Sequence, residues 1–361
     1  MHASVISLSF LEQFSRCLER KEPLALLTII DRSGSGPREV GAMMIVDRQG
    51  GSFGTIGGGM LEARAIMLAR KVILESRPAV ERYRLTNRDA SDLGMICGGQ
   101  MEILADYIPE SGSLWPTFTR HLADQCRNGK KAYLIRSMTD KGDGITTGVG
   151  VADEEGLNPG SFDLAQFDPE AITPVQLKEG TRLLARGNVR YFIQPAGIPG
   201  KVFVFGAGHV GEALAPLCHF VGFRTVVVDD RGDFANKERF PLADEIHVPE
   251  SFDAFFYDLE MTEGDYVVIV TRGHAHDQAV LIRAMGTSVG YIGMIASRRK
   301  RDIIYRTLID GGWCEQDLKR IRSPIGLDIG ARTPEEIAVS IVAELVAVRA
   351  SSDAENKGAT S

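Results

Sequence analysis

The stretch "VFVFGAGHVGEALAPL", Val202 to Leu217, decides how the second half of this chain folds. An apolar run leads straight into Gly206-Ala207-Gly208-His209-Val210-Gly211, and a helix-forming segment follows. Glycines at that spacing between strand and helix make a tight turn, let a pyrophosphate approach the backbone, and close the helix onto the strand. Asp229 and Asp230 end the next β-rich run, 23 and 24 residues after Gly206. A carboxylate at that distance reaches a ribose hydroxyl in dinucleotide-binding folds. Gly206, Gly208, Gly211 and Asp229 are therefore candidate contacts for NAD(P) or FAD. The same glycines also serve plain strand–helix packing, and the motif alone leaves both readings open.

Working outward, "KVFVFG", "RTVVVDD", "DEIHV", "DYVVIVT" and "VGYIGMI" are β-rich runs separated by helical stretches. Such alternation implies crossover connections and a parallel sheet covered on both faces. Residues 197–350 are thus expected to form a Rossmann-like domain. Its last helix has a strong start signal, with Thr333 as cap, Pro334 in the first turn and Glu336 three residues after the cap. The polar tail 351–361 is expected to be disordered. Residues 1–196 read as a mixed α+β domain, its middle part (111–196) giving weaker signals. Helices are expected at "SFLEQFSRCLERKE", "MLEARAIMLARKVILES" and "WPTFTRHLADQCRNG". Strands are expected at "PLALLTIID", "AMMIVD", "GSFGTI", "MEILADYI", "KAYLIRSM" and "VRYFIQP", with "NPGSFDLAQFDPEAITP" as a polar connection. The fold class is α/β, a C-terminal Rossmann-like parallel sheet preceded by a mixed N-terminal domain.

A chain of 361 residues accommodates two such domains, each with its own core. With 44% hydrophobic and 25% charged residues it has the composition of a soluble globular protein. A formal charge of -7 gives no bulk attraction to nucleic acid or to a membrane surface. No apolar run is long enough to span a bilayer, and the N-terminus lacks the pattern of a secretion signal. The five cysteines (Cys17, Cys97, Cys126, Cys218 and Cys314) lie far apart with no C-x-x-C pair. That usage fits a reducing cytoplasm and argues against a disulfide framework or structural zinc.

Five polar or glycine-rich stretches carry the candidate chemistry. "TRGHAHDQ" follows the fourth strand of the parallel sheet, where ligands bind such sheets. Its His274, His276 and Asp277 are candidate metal or proton-relay groups, or simply a polar loop with an Asp helix cap. "SRRKR" puts Arg298 and its basic neighbours in a first helical turn, where a bound anion would relieve their conflict with the helix dipole; a solvated basic face is the alternative. In the first domain, "RSGSGPREVG" combines glycines with Ser33, Ser35 and Arg38. "TIGGGMLE" sets Gly57, Gly58 and Gly59 ahead of a helix as a potential anion nest. "DLGMICGGQMEI" places Cys97 before Gly98 and Gly99, so a ligand can come close to a soft thiolate suited to molybdenum or sulfur transfer. Cys97 also suits the role of a small buried hydrophobe.

The three first-domain stretches, in their chain order, with "VFGAGHVG", "YIGMIASRRKR" and "SPIGLDIGARTPEEIAVSIVAE", resemble the xanthine dehydrogenase accessory protein (XdhC) family from about residue 33 to 345. The resemblance implies a cytoplasmic, dimeric maturation factor without turnover of its own. It would hold molybdenum cofactor, protect it during sulfuration, and hand it to an apo molybdenum hydroxylase of the xanthine dehydrogenase type, with a cysteine desulfurase or sulfurase as a further partner. Carried onto this chain, Cys97, Gly98 and Gly99 would contact the metal or its dithiolene. Gly57, Gly58, Gly59, Ser35 and Arg38 would line the same pocket. One departure is "TRGHAHDQ", longer than the stretch the resemblance leads one to expect, so no family role attaches to its histidines. Two other readings stand beside it. One is an NAD(P)- or FAD-dependent oxidoreductase, for which only His209, His274 and His276 offer acid–base groups. The other is a scaffold that recruits a sulfurase, with Cys97 uninvolved.

Overall fold

The computed structural model describes residues 5–34, 38–85, 99–142, 144–153, 156–162, 172–173, 176–177, 180–197, 200–257, 259 and 261–358. Contacts divide the chain into two compact units, Met1–Ile198 with Asn356–Ser361, and Pro199–Glu355.

The first unit contains two five-stranded antiparallel sheets. In the first, β1 (Leu24–Gly34) is central, flanked by β2 (Met43–Asp47) and β5 (Gly99–Ile108); β3 (Ser52–Gly54) and β4 (Ala79–Leu85) form the edges. The run "LALLTII" is buried throughout because both faces of β1 are covered. Ala25, Leu27 and Ile29 meet helix α2 (Gly59–Glu75) through Leu61, Leu68 and Val72. Leu24 and Leu26 turn the other way, into a cluster with Phe14 of α1 (Leu8–Glu19) and with Trp115, Phe118 and Leu122 of α3 (Trp115–Arg127). Each such side chain contributes about 1.5–3 kcal/mol by leaving water.

The second sheet runs β8 (Gly156–Phe162), β7 (Ile145–Asp153), β6 (Ala132–Asp140), β10 (Val189–Ala196), β9 (Arg182–Arg186). It packs face to face on the first, with Met138 and Phe192 against Ile30 and Leu104. The expected polar connection from residue 158 begins instead as strand β8. Pro159 is tolerated there because β8 is an edge and need not donate on both sides.

The second unit is a six-stranded parallel sheet ordered β13 (Glu245–His247), β12 (Arg224–Val228), β11 (Lys201–Phe205), β14 (Tyr266–Ile269), β15 (Tyr291–Met294), β16 (Ile321–Arg322). This is the 3-2-1-4-5-6 order of the Rossmann fold. Five of its strands are the β-rich runs of the sequence, and the sixth is a two-residue addition. One face is covered by α6 (His274–Met285) and α7 (Arg298–Asp310), through Val280, Leu281, Ile304 and Leu308. Leu214 and Ala215 of α4 (His209–Phe220) are buried, as are Ile341 and Leu345 of the long C-terminal α9 (Pro334–Gly358). Short helices α5 (Phe252–Phe255) and α8 (Glu315–Leu318) complete the described elements. Helix α9 continues to Gly358, which corrects the expectation of a disordered tail from residue 351. Between Ser351 and Lys357 no proline or glycine interrupts the helix, and the next glycine stands at its end.

Candidate functional site

Backbone register brings the glycine-rich stretches of the first unit to one end of its first sheet. Gly34, the last residue of β1, pairs with Gly99, the first of β5, and Leu85 at the end of β4 pairs with the same Gly99. Thr28 pairs with Met43, so residues 38–42 turn at that end too. Gly54 pairs with Met44, and the Thr55 N–H donates to the Met43 carbonyl at 3.0 Å, so the Gly57–Gly59 turn leaves the sheet toward the same end. A bulge between Ile29 and Asp31 re-aims the exposed end of β1; bulges recur beside functional sites for this reason.

Gly57, Gly58 and Gly59 have φ of 141°, 75° and 61°, which L side chains rarely adopt. They open α2 without a side-chain cap. A Cβ on Gly58 or Gly59 would meet nothing within 4 Å, so this turn stands open. Consecutive amides at an uncapped helix start bind oxyanions. The Thr55 hydroxyl accepts from the Gly57 N–H at 3.2 Å and donates to Glu62, which keeps that carboxylate engaged within the turn. Arg38 is exposed; its carbonyl accepts from Arg32 at 3.1 Å, and Arg32 pairs with Glu39 at 3.0 Å. Ser35, Cys97 and Gly98 lie outside the described residues, while their neighbours Gly34 and Gly99 are placed at this end.

A buried polar network joins the two sheets behind this end. The Arg136 guanidinium of β6 is fully buried, donating to Thr28 Oγ1 at 2.5 Å, to Asp106 at 3.3 Å and to Gln194 at 3.3 Å. Gln194 in turn donates to the Gly41 carbonyl at 2.7 Å, tying the network to the 38–42 turn. Burial pushes the Asp106 carboxyl above its ordinary value, opposed by the charge of Arg136.

In the second unit the glycine turn has the tightness its sequence calls for. A Cβ on Gly206 would lie 2.4 Å from the Val270 carbonyl oxygen, and one on Gly211 would lie 2.1 Å from that of Gly206. Gly208 faces open space. The carboxylates beside the turn are already engaged. Asp229 is buried; it accepts from the Ala207 N–H at 2.8 Å and takes both arms of Arg231 at 2.8 and 2.9 Å. Burial raises the Asp229 carboxyl, but the Arg231 and Ala207 bonds outweigh it and hold the value below normal. Asp230 takes a two-pronged bond from Arg272 at 2.6 and 2.8 Å. That ion pair joins the segments after β12 and β14, which flank β11 and the crevice where a dinucleotide would lie. Arg239 further closes the turn, donating to the Ala207 carbonyl at 3.0 Å and to Glu212. Arg231, Arg239 and Arg272 were not singled out in the sequence. The available signal was arginine next to the strand-ending acids in "DDRGD" and "TRGH".

His274, His276 and Asp277 do not converge on a metal position, and the described residues contain no group of three metal-ligating side chains. Asp277 is fully buried, accepting from Thr271 at 2.5 Å and from Lys300. His276 packs edge-on against Phe252, and His274 is exposed. Arg298 begins α7 behind the Ser297 cap, whose hydroxyl accepts from the Lys300 N–H at 3.3 Å. Lys300 and Arg301 are used internally, Arg301 donating to Asp302 and the Ser323 carbonyl. No helix among the described residues is long and apolar enough to cross a membrane.

Comparison with known proteins places both units. Residues 202–345 match the XdhC Rossmann domain, and residues 17–84 match the XdhC and CoxI family. YqeB of Escherichia coli is 25% identical over 92% of this chain, which spans 44% of that longer protein. A Bacillus subtilis protein described as a probable xanthine dehydrogenase subunit is 25% identical, covering 92% of this chain and 95% of its own. The molybdenum cofactor insertion chaperone PaoD of E. coli is 21% identical, covering 90% of this chain and 83% of its own. A crystal structure described as a xanthine dehydrogenase from Bacillus halodurans superposes with a TM-score of 0.74 at 27% identity, over 93% of this chain and 96% of that one. With both of its units matched, this chain belongs to the XdhC and CoxI family.

Proposed function

We propose that this protein binds molybdenum cofactor at the glycine-rich end of its first sheet and delivers it to a molybdenum hydroxylase of the xanthine dehydrogenase type, without turnover of its own. The observation that carries the reading is the open Gly57–Gly59 turn, which shares one sheet end with Gly34 and Gly99. The cofactor ends in a phosphate, which exposed amides at a helix start hold. At its other end sulfurs bind an oxidised metal, for which Cys97, two residues before Gly99, is the soft donor. Gly98, Ser35 and Arg38 complete the proposed contacts. The relationship to an insertion chaperone supports a maturation role. The proposed setting is the cytoplasm, with the protein as a homodimer and a sulfurase as an additional partner. Against an NAD(P)- or FAD-dependent oxidoreductase stands the engagement of the two strand-ending carboxylates, Asp229 by Arg231 and Asp230 by Arg272.

The test is transfer. Protein loaded anaerobically with cofactor is mixed with an apo xanthine dehydrogenase, and recovered hydroxylase activity is followed. Wild-type protein should activate the enzyme faster than free cofactor does, and Cys97→Ala should lose most of that advantage. Equal rates with and without the protein would refute delivery.

A further inference from the structure

Helix α2 carries an apolar ridge on its outer face. Met60, Met67 and Leu74 recur every seven residues and are 44%, 61% and 81% exposed. On a surface helix these positions are normally polar, and seven-residue spacing keeps side chains in one line. Advancing 100° per residue, Arg64 and Lys71 fall on one side of the ridge and Arg70 on the other. All three are exposed. At its C-terminal end the ridge runs into an open groove of about 760 Å³, where Leu74 and Ile73 form an apolar wall and Arg48 and Arg70 supply positive charge. Arg70 is held over this groove by a 2.7 Å bond to the Gln49 carbonyl. Of the acids nearby, Glu75 is paired with Arg77, Glu62 lies about 140° around the helix from Met67, and Glu110 is the carboxylate in the groove lining.

We infer that the outer face of α2 and this groove dock an acidic, amphipathic segment of a partner protein. Its apolar side chains would cover Met60, Met67 and Leu74, and its carboxylates would meet Arg48, Arg70 and Lys71. Charge selects this occupant. The local excess is positive on a chain whose formal charge is -7, so the face is an exception rather than a sample of the surface. A second copy of the same face is disfavoured. Two-fold pairing of α2 about Met67 would set Arg64 against Arg70 across the contact, and opposed like charges cost affinity. The inference goes beyond the cofactor reading and does not depend on it.

The test uses the full chain and a fluorescein-labelled synthetic helix of roughly 18 residues, long enough for two to three heptads, with leucine along one face and glutamate beside it. A second peptide carries lysine for each glutamate. Anisotropy titration should show the acidic peptide binding at least tenfold more tightly than the basic one, weakening as salt is raised. Arg70→Glu, and separately the pair Met67→Ser with Leu74→Ser, should each weaken it about tenfold while circular-dichroism melting stays as in the wild type. Equal affinity for the two peptides, or affinity unmoved by these substitutions, would overturn the inference. So would a wild-type dimer, seen by sedimentation, that the double serine variant dissociates, because the face would then belong to a second copy.

Discussion

Removing Arg231 should destabilise the Rossmann unit and shift its acid sensitivity in a set direction. In the folded protein Asp229 is 2% exposed. Its oxygens accept from the Arg231 side chain at 2.8 and 2.9 Å, and from the Ala207 and Arg231 amides at 2.8 and 3.1 Å. Arg231→Met keeps the two amide bonds and removes the charge. Breaking a buried ion pair from one side costs about 3–5 kcal/mol. Arg231 is itself 31% exposed, so about 2–3 kcal/mol is expected at neutral pH, discounting for the partial solvation. The carboxyl value of Asp229 is lowered in the native state, against about 3.9 when unfolded. Its contribution is therefore fully present above the unfolded value and lost as pH falls through the folded one. Without Arg231, burial is opposed only by amide bonds. The folded value rises, and acid sensitivity sets in at higher pH than in the wild type. Each unit holds one tryptophan, Trp115 in the first core and Trp313 against the second. Urea unfolding of a Trp115→Phe background, followed by Trp313 fluorescence from pH 3 to 8 (a range of roughly these limits spans the carboxylate titration), isolates the unit in question. A loss below about 0.5 kcal/mol, the scale of an ordinary surface substitution, or an unchanged pH profile would refute the claim that Arg231 holds Asp229.

Three further outcomes follow from the same geometry. In an unhindered helix Gly211→Ala would gain about 1 kcal/mol, but here the new Cβ lies 2.1 Å from the Gly206 oxygen. A net loss of about 1–3 kcal/mol is expected from overpacking, read by the same urea experiment. NADH titrated into the wild-type protein should give no saturable fluorescence change below about 1 mM, an affinity of about 4 kcal/mol, because Asp229 and Asp230 are occupied. In the first unit, Asp106→Leu alone should cost about 3–5 kcal/mol by leaving Arg136 buried and unpaired. Asp106→Leu with Arg136→Met should recover most of that in a double-mutant cycle, measured by chemical denaturation.

How much of this was legible depended on how local each feature is. The Gly206–Gly211 turn, the first five parallel strands and the Thr333 helix start are written in contiguous residues, and each stands where the sequence put it. Strand β16 has two residues and no pattern to read. Strand β8 contains glycines and a proline in place of a β-branched run, and pairing with β7 supplies what propensity lacks. That Gly34, Gly99 and the Gly57–Gly59 turn lie toward one end of the sheet rests on register between strands far apart in the chain. The glycines could be recognised singly, but their common address could not. The engaged state of Asp229, Asp230 and Asp277 depends on arginine and lysine side chains reaching across loops. The sequence shows those residues without showing whom they meet.

The most direct check of the central claim is the cofactor content of the protein itself. Wild-type chain and a Gly58→Ala, Gly59→Ala variant would be expressed anaerobically in a host that makes molybdenum cofactor, then assayed for molybdenum and for oxidised pterin fluorescence. The added methyls point into open space but force side-chain residues into φ of 75° and 61°, so the amide nest must rearrange while the core is untouched. Pterin and metal retained by the wild type and lost from a variant that still folds are the expected result. A wild type free of pterin, or a variant that keeps it in full, would contradict the account.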